Sequence, residues 1–440
     1  MTATGWELLS EQAREALKVR ILDALGCAAG AMGSDVMTRI RVEIDEMGGN
    51  PLTTLIGGGR TSPDRAALHN SAAVRYLDFN DSFLAPGETC HPSDNLGAVL
   101  AAVEFAGGDG KDLMVALAVA YQVQCRFSEV APVRAHGFDH VVQGAYGAAA
   151  GVARGLCLNQ AQTANAIAIA GTAFNALRVT RTGRLSNWKG LAAPNTAFAA
   201  VHAAFLARAG ITGPDEVFEG NKGFEETISG PFEIDWSEED LEIVRRTSVK
   251  RFNAEFHSQS ALEAVIELRA EGLDPRRVRR VDLDVFQVAY DIIGGGEEGD
   301  KKLVRAKEEA DHSLPYMVAV ALLDGEVLPR QYEPGRIVAQ DVQDLLRRVH
   351  VRPDPALSAR FPREHACRVR ITLDDGTVLM REKSDFAGFV TRPAGWPEVE
   401  RKFLDLAGPP PLIELVKNLE DIKLSELWNA LARVGGESHA

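Results

Sequence analysis

Between Asp78 and Asn95 the chain reads Asp78-Phe79-Asn80-Asp81-Ser82, then Cys90-His91-Pro92-Ser93-Asp94-Asn95, a run of acids, hydroxyls and one imidazole between alanine-rich apolar stretches. Polar groups of these types on a short connection suit proton transfer, because catalytic residues gather on loops held by a rigid scaffold, and histidine titrates nearest neutral pH. Similar groups recur at later element boundaries. Gly137-Phe138-Asp139-His140 places His140 ahead of a small-residue helix, Lys189 lies between Trp188 and Gly190, and Arg178, Arg181 and Arg184 precede it. Lys250 and His257 flank a domain junction, with Glu255 between them, and His312 and Tyr316 stand four residues apart in Asp311-His312-Ser313-Leu314-Pro315-Tyr316. Lysine binds a carboxylate as a point charge, and arginine grips one with two parallel hydrogen bonds. The combination points to a single pocket for a small polycarboxylate.

Each group also admits a plainer role. Asp78 can end one helix while Ser93 or Asp94 caps the next. His140 can be a buried, hydrogen-bonded structural histidine. The arginines and Lys189 can form a solvated basic turn, and His312 with Tyr316 can be a network at a helix start. If both of the latter are helical, they share a face.

Composition narrows the field. A formal net charge of −14 argues against a general nucleic-acid or anionic-membrane binder, and makes a local cationic pocket necessary for an anionic substrate. The five cysteines, Cys27, Cys90, Cys125, Cys157 and Cys367, are widely spaced and include no Cys-x-x-Cys pair. They fit a reducing cytoplasm and neither a disulfide framework nor an iron–sulfur cluster. No signal peptide is expected from the first residues, and apolar stretches such as Met114 to Val123 are short for a bilayer span. His136 and His140 have metal-like spacing, but Gly137 makes the pair a loop, and no His-Glu-x-x-His is present, so no metal site is expected. There is no phosphate loop, and Gly294-Gly295-Gly296-Glu297-Glu298 reads as a mobile acidic turn. No Gly-x-Ser-x-Gly elbow supports a serine hydrolase.

The elements that must position these groups are mainly helices. Ser10 can cap a helix in which Ala13, Leu17, Ile21 and Leu25 recur; Gly97–Ala106, Asp112–Arg126, Ala145–Gly155, Ala161–Phe174 and Ala197–Ala209 follow. Several are apolar nearly all round, as buried central helices are. After about Trp236 the pattern changes: Val278 to Val288 alternates with a period near two, Val349–Val351 is a second strand, and Cys367–Leu373 with Thr377–Arg381 forms a hairpin. Helices are expected at Ser258–Arg269, Pro315–Leu323 and Gln340–Arg347, and again at Glu398–Leu406 and Leu412–Ala432. The fold class is mostly α. A large all-helical domain is formed by both chain ends (1–246 and 396–440), with a smaller α+β lid domain (247–395).

Taken together, these blocks resemble the MmgE/PrpD family over nearly the whole chain. They are Tyr76-Leu77-Asp78-Phe79-Asn80-Asp81-Ser82 with His91-Pro92-Ser93-Asp94-Asn95, Gly137–His140, Leu185–Gly190, Phe218-Glu219-Gly220, Glu255–Ser260 and Ala310–Tyr316. The resemblance implies a cleft between the two domains, a homodimer, and pocket roles for Asp78, Ser82, His91, His140, Lys189, Lys250 and Tyr316, with His257 and His312 in matching blocks. It implies a cofactor-independent hydro-lyase that removes water from a 3-hydroxy tricarboxylate such as 2-methylcitrate. In that reaction Lys189 and Lys250 would neutralise a carboxylate, His91 or His140 would take the proton, and the other histidine or Tyr316 would protonate the departing hydroxyl. The family also includes epimerases of imino-dicarboxylates and cis-aconitate-type decarboxylases. Ser82 and Glu255 stand where the decarboxylase branch carries threonine and histidine. A carboxylate-binding protein without catalysis is the alternative outside enzymes.

Overall fold

The computed structural model describes residues 5–435. The first four and last five residues of the expected helical domain lie outside the described residues. The chain is mostly helical and divides into two compact units. The first takes residues up to Thr180, Gly190–Val249 and residues from Ala394 on; the second takes Arg181–Lys189 and Lys250–Pro393.

In the first unit, helix α1 (Glu11–Ala31) begins where the Ser10 hydroxyl accepts the Ala13 N–H at 3.0 Å. It is followed by α2 (Asp35–Met47) and α3 (Pro63–Tyr76), then α4 (Leu96–Ala106) and α5 (Gly110–Val130). Gly107 ends α4 with φ of 71°, and a reciprocal Asp109–Asp112 capping box starts α5. Helices α6 (Val141–Gly155) and α7 (Gln160–Ala173) come next. Small residues let α5 and α6 approach closely: a Cβ at Gly147 would lie 2.8 Å from the Ala120 carbonyl, and one at Gly151 2.9 Å from that of Ala116. A short β-ribbon pairs β1 (Thr53–Thr54) with β2 (Arg60–Thr61); another pairs β3 (Phe83–Leu84) with β4 (Thr89–Cys90), bringing Ser82 and His91 to the base of one hairpin.

Helix α8 (Trp188–Arg208) starts well before the expected Ala197 and continues through Pro194. Proline at that position withholds the N–H that would bond to Gly190, a break usually read as a helix end. By length and composition α8 would suffice to cross a membrane, yet Ala192, Ala193, Ala197, Ala200 and Ala204 are buried, as in a core helix. At the carboxyl end, the helix expected over Leu412–Ala432 is two helices, Pro411–Lys417 and Leu424–Leu431, with Asn418 turning back to the Glu414 carbonyl between them. The helix Trp396–Asp405 supports the loop after α3: the Lys402 ammonium donates to the Phe79 carbonyl at 2.6 Å and pairs with buried Asp23 at 2.7 Å.

The second unit is built on a four-stranded sheet in the order β6-β5-β7-β8, comprising β5 (Val278–Val285), β6 (Val349–Pro353), β7 (Cys367–Leu373) and β8 (Val378–Lys383). β5 runs parallel to β6 and antiparallel to β7, and β7 and β8 form the hairpin. In β7 alternate residues are buried, which is the two-residue period of a half-buried strand. Helix α9 (Gln259–Ala270) and the helix Leu314–Asp324 pack with the sheet into one core that includes Leu262, Val265, Val281, Leu283, Met317, Val369 and Ile371.

Candidate active site

Among the described residues, each unit contains a cluster of buried ionisable side chains that includes residues expected from the sequence. In the first unit, the chain leaves α3 through Asp78, whose φ of 55° is left-handed and turns the loop sharply. The Asp78 carboxylate pairs with buried Arg75 at 2.6 Å, and Arg75 also faces Asp94 at 3.6 Å. Asn80 spans the same loop, donating to the Ser93 hydroxyl and the Asp94 carboxylate, each at 2.8 Å. Asp81 is fully buried, receives the Ser93 N–H at 3.1 Å and the Tyr121 hydroxyl at 2.8 Å, and is pushed up from the usual carboxylate range by that burial.

This framework fixes His91. Its Nδ1 lies 2.8 Å from the Asp81 carbonyl and 3.1 Å from the Ser82 hydroxyl. A carbonyl only accepts, so Nδ1 carries the proton and the neutral ring has its lone pair on Nε2. His140 opens α6 and follows the same rule: its Nδ1 lies 3.2 Å from the carboxylate of buried Asp139. The two rings meet edge to face, with centroids 5.5 Å apart. Behind them lies a group the sequence did not single out. Glu88 is buried, receives the Val133 and Arg134 N–H groups, and is raised to about 7 by burial against the pull of Arg178, with Asp139 adding to the rise.

The second unit holds the cations. Lys189 lies in the first turn of α8; its ammonium donates to Asp311 at 2.7 Å and lies 2.9 Å from His312 Nδ1. That same imidazole nitrogen is 2.9 Å from Asp311, and Lys307 pairs with the other Asp311 oxygen at 2.7 Å. Burial alone would raise Asp311, but Lys189 and Lys307 hold it far below the usual carboxylate range. Arg181 is buried and reaches the Lys189 carbonyl at 3.4 Å. Glu255 joins through its N–H to the Asp311 carbonyl. Its carboxylate binds His257 Nδ1 at 2.6 Å; against the raising effect of burial, His257, His312 and Lys250 bring it down to about 2. Lys250 is fully buried. Lys301, also unread in the sequence, is buried beside Glu298 at 4.0 Å and is lowered by burial. The acidic glycine turn thus ends in one buried charge, Glu298, and Lys301 follows three residues later.

Tyr316 does not join this cluster through its hydroxyl, which donates to the Gln331 carbonyl, while its ring lies 5.9 Å from that of Tyr332. His312 and Tyr316 do not share a helix face. Ser313 caps the helix that starts at Leu314, so His312 lies outside it. His257 packs with its ring stacked 6.0 Å from His365 in an aromatic cluster, so its imidazole is directed by Glu255 within the unit's core.

The MmgE/PrpD N-terminal domain matches residues 2–237, and the C-terminal domain matches residues 252–427. The chain belongs to the MmgE/PrpD family. Among its MmgE/PrpD relatives, a 2-methylcitrate dehydratase of Escherichia coli is 30% identical over 418 residues, covering 85% of this chain and 81% of the relative. A cis-aconitate decarboxylase of Mus musculus is 27% identical over 446 residues, covering 92% and 86%. A fungal alkylcitrate dehydratase is 27% identical over 433 residues, covering 88% and 82%.

Proposed function

We propose that this MmgE/PrpD protein is a carbon–oxygen hydro-lyase that dehydrates a 3-hydroxy tricarboxylate such as 2-methylcitrate to a cis-aconitate-type alkene, using protein groups alone. The observation that carries the reading is the His91–His140 pair, two imidazoles 5.5 Å apart whose Nδ1 atoms are each committed to an oxygen acceptor. Dehydration needs one base and one acid at the same time. One Nε2 takes the proton next to a carboxylate, the C–H electron pair becomes the new C=C bond, and the C–O bond breaks. The protonated second imidazole gives its proton to the departing hydroxyl, which leaves as water.

The substrate carboxylate beside the reacting carbon gains charge in the transition state. On the family resemblance, Lys189 and Lys250, both buried, are the cations proposed to stabilise that charge, with Arg181 and His312 as further binding residues. Asp78 is held by Arg75 and acts by shaping the loop that carries Ser82 and His91. The similarity to 2-methylcitrate dehydratase over most of the chain supports this substrate class. Proton NMR in deuterated water with citrate, 2-methylcitrate and cis-aconitate tests it. An alkene supports dehydration: a vinyl signal from citrate, and from 2-methylcitrate a methyl singlet in place of the methyl doublet, because the alkene formed across its substituted carbon carries no vinyl hydrogen. Deuterium uptake without an alkene would establish an epimerase, and loss of carbon dioxide a decarboxylase.

A further inference from the structure

Asp81 holds the His91 segment at two points. Its backbone carbonyl accepts from His91 Nδ1 at 2.8 Å, and its carboxylate accepts the Ser93 N–H at 3.1 Å. The second carboxylate oxygen accepts the Tyr121 hydroxyl at 2.8 Å, from the middle of α5. Asp81 and Tyr121 are fully buried. The carbonyl that meets His91 belongs to the same peptide unit as the Ser82 N–H, which donates to the Ser248 carbonyl at 2.9 Å. A peptide unit is planar, and in the trans form its N–H and C=O point opposite ways. That unit is therefore stretched between Ser248 and His91, and the Asp81 side chain, tied to α5, fixes the backbone at its other end. The tie matters for the proton on the ring. Neutral histidine in water favours the Nε2–H tautomer, so a ring with a basic Nε2 has to be imposed by what Nδ1 meets. The Ser82 hydroxyl, 3.1 Å from the same nitrogen, can donate to a bare Nδ1 and would accept the other tautomer. The Asp81 carbonyl cannot donate, so its placement decides between the two forms.

We propose that Tyr121 and Asp81 are positioning residues for His91. The Tyr121 hydroxyl locks the Asp81 carboxylate, the carboxylate locks the peptide between Asp81 and Ser82, and that carbonyl keeps the proton on Nδ1 and the lone pair on Nε2. The inference rests on the dehydratase reading for the use made of Nε2, but not for the tautomer.

Ring-nitrogen NMR of isotope-labelled histidine reads the tautomer in the full-length protein above the histidine titration range, with His91→Gln assigning the His91 signals. It is run beside kcat and KM for 2-methylcitrate and a melting curve on wild type, Tyr121→Phe, Asp81→Asn and Tyr146→Phe. An asparagine has a single oxygen to meet both the Tyr121 hydroxyl and the Ser93 N–H. Tyr146 is the control, a fully buried tyrosine whose hydroxyl has no hydrogen-bond partner among the described residues. The expected result is Nδ1–H at His91 in wild type and in Tyr146→Phe. In Tyr121→Phe and Asp81→Asn the Nε2–H form appears, and kcat falls about 10–100-fold, the scale for outer partners that orient histidines at metal sites, with KM moved less than about threefold. Nε2–H in wild type overturns the proposal, as does an unmoved tautomer or an unmoved kcat in the folded variants, or an equal fall in Tyr146→Phe. Loss of folding in both variants assigns the pair to the fold and overturns it as well. If the tautomer moves as expected but wild type forms no alkene from 2-methylcitrate, the positioning stands and the dehydratase reading fails. If alkene forms with the tautomer unmoved, the reading stands and the positioning fails.

Discussion

His91 and His140 meet edge to face, their ring planes inclined by 75°, yet each is anchored by a different kind of acceptor. The first is held by the Asp81 carbonyl and the second by the Asp139 carboxylate. A carbonyl fixes a tautomer without favouring the imidazolium. A buried carboxylate does both. On the proposed dehydratase reading, this asymmetry makes Asp139 the residue that orients His140 and the Asp81 carbonyl the one that orients His91.

Asp139→Asn tests that division. The asparagine amide can donate to Nδ1 and place the proton on the wrong nitrogen, so kcat should fall by roughly 10²-fold or more, the scale of a lost general acid–base group. Val141 N–H and His140 Nδ1 share one Asp139 oxygen, at 3.2 Å each, so the melting curve of the variant is measured beside kcat. A kcat within threefold of wild type, measured by alkene absorbance, would remove Asp139 from the mechanism.

Lys189 and Asp311 form a buried pair at 2.7 Å, and breaking such a pair from one side costs about 3–5 kcal/mol. Lys189→Met should therefore lower both stability and turnover. Adding Asp311→Asn should recover much of the melting temperature while turnover stays low. Joint recovery of both would show that the lysine is structural alone.

Glu88 makes stability pH-dependent. Its pKa rises from the ordinary 4.5 to about 7 in the folded chain, so the folded state keeps a proton that the unfolded state has lost. That contribution is full below pH 4.5 and is lost as pH rises through 7. Glu88→Gln should be more stable than wild type at pH 8, by about 1–3 kcal/mol, with the difference shrinking at pH 5. Denaturant melts at the two pH values check the sign.

His365 acts in the opposite direction. It is fully buried among Phe256, Phe386 and Phe389, and burial with the nearby His257 lowers it from 6.5 to about 3. The unfolded chain gains a proton that the folded chain refuses, so stability is full above pH 6.5 and is lost as pH falls toward 3. His365→Phe should flatten the decline between pH 7 and pH 5, a range above that in which Glu255 is protonated. An unchanged pH profile would contradict it.

Much of this architecture was legible because periodic burial leaves a periodic sequence. The alternation from Val278 marks β5, the hairpin of β7 and β8 follows from Asp374-Asp375-Gly376, and the Ser10 cap lies where a hydroxyl precedes an apolar four-residue rhythm. The loops carrying His91, His140 and Lys189 were found by their density of titratable residues. What escaped lacks such a rhythm. Pro194 hid the first turns of α8, so Lys189 was read as a loop residue. Glu88 is a single charge in an irregular segment and Lys301 lies in a charge run, Glu297 to Lys302, that reads as solvated, so neither segment has a rhythm that marks its burial. The parallel pairing of β5 with β6 has no local signal, since the partner strand is supplied some sixty residues later.

The most direct test of the account is single-turnover dehydration of 2-methylcitrate by His91→Gln and His140→Gln, each verified as folded by its melting curve. The account predicts a fall in the chemical rate of about 10²–10⁴-fold in both, with substrate binding retained. Near wild-type rates in either folded variant would contradict it.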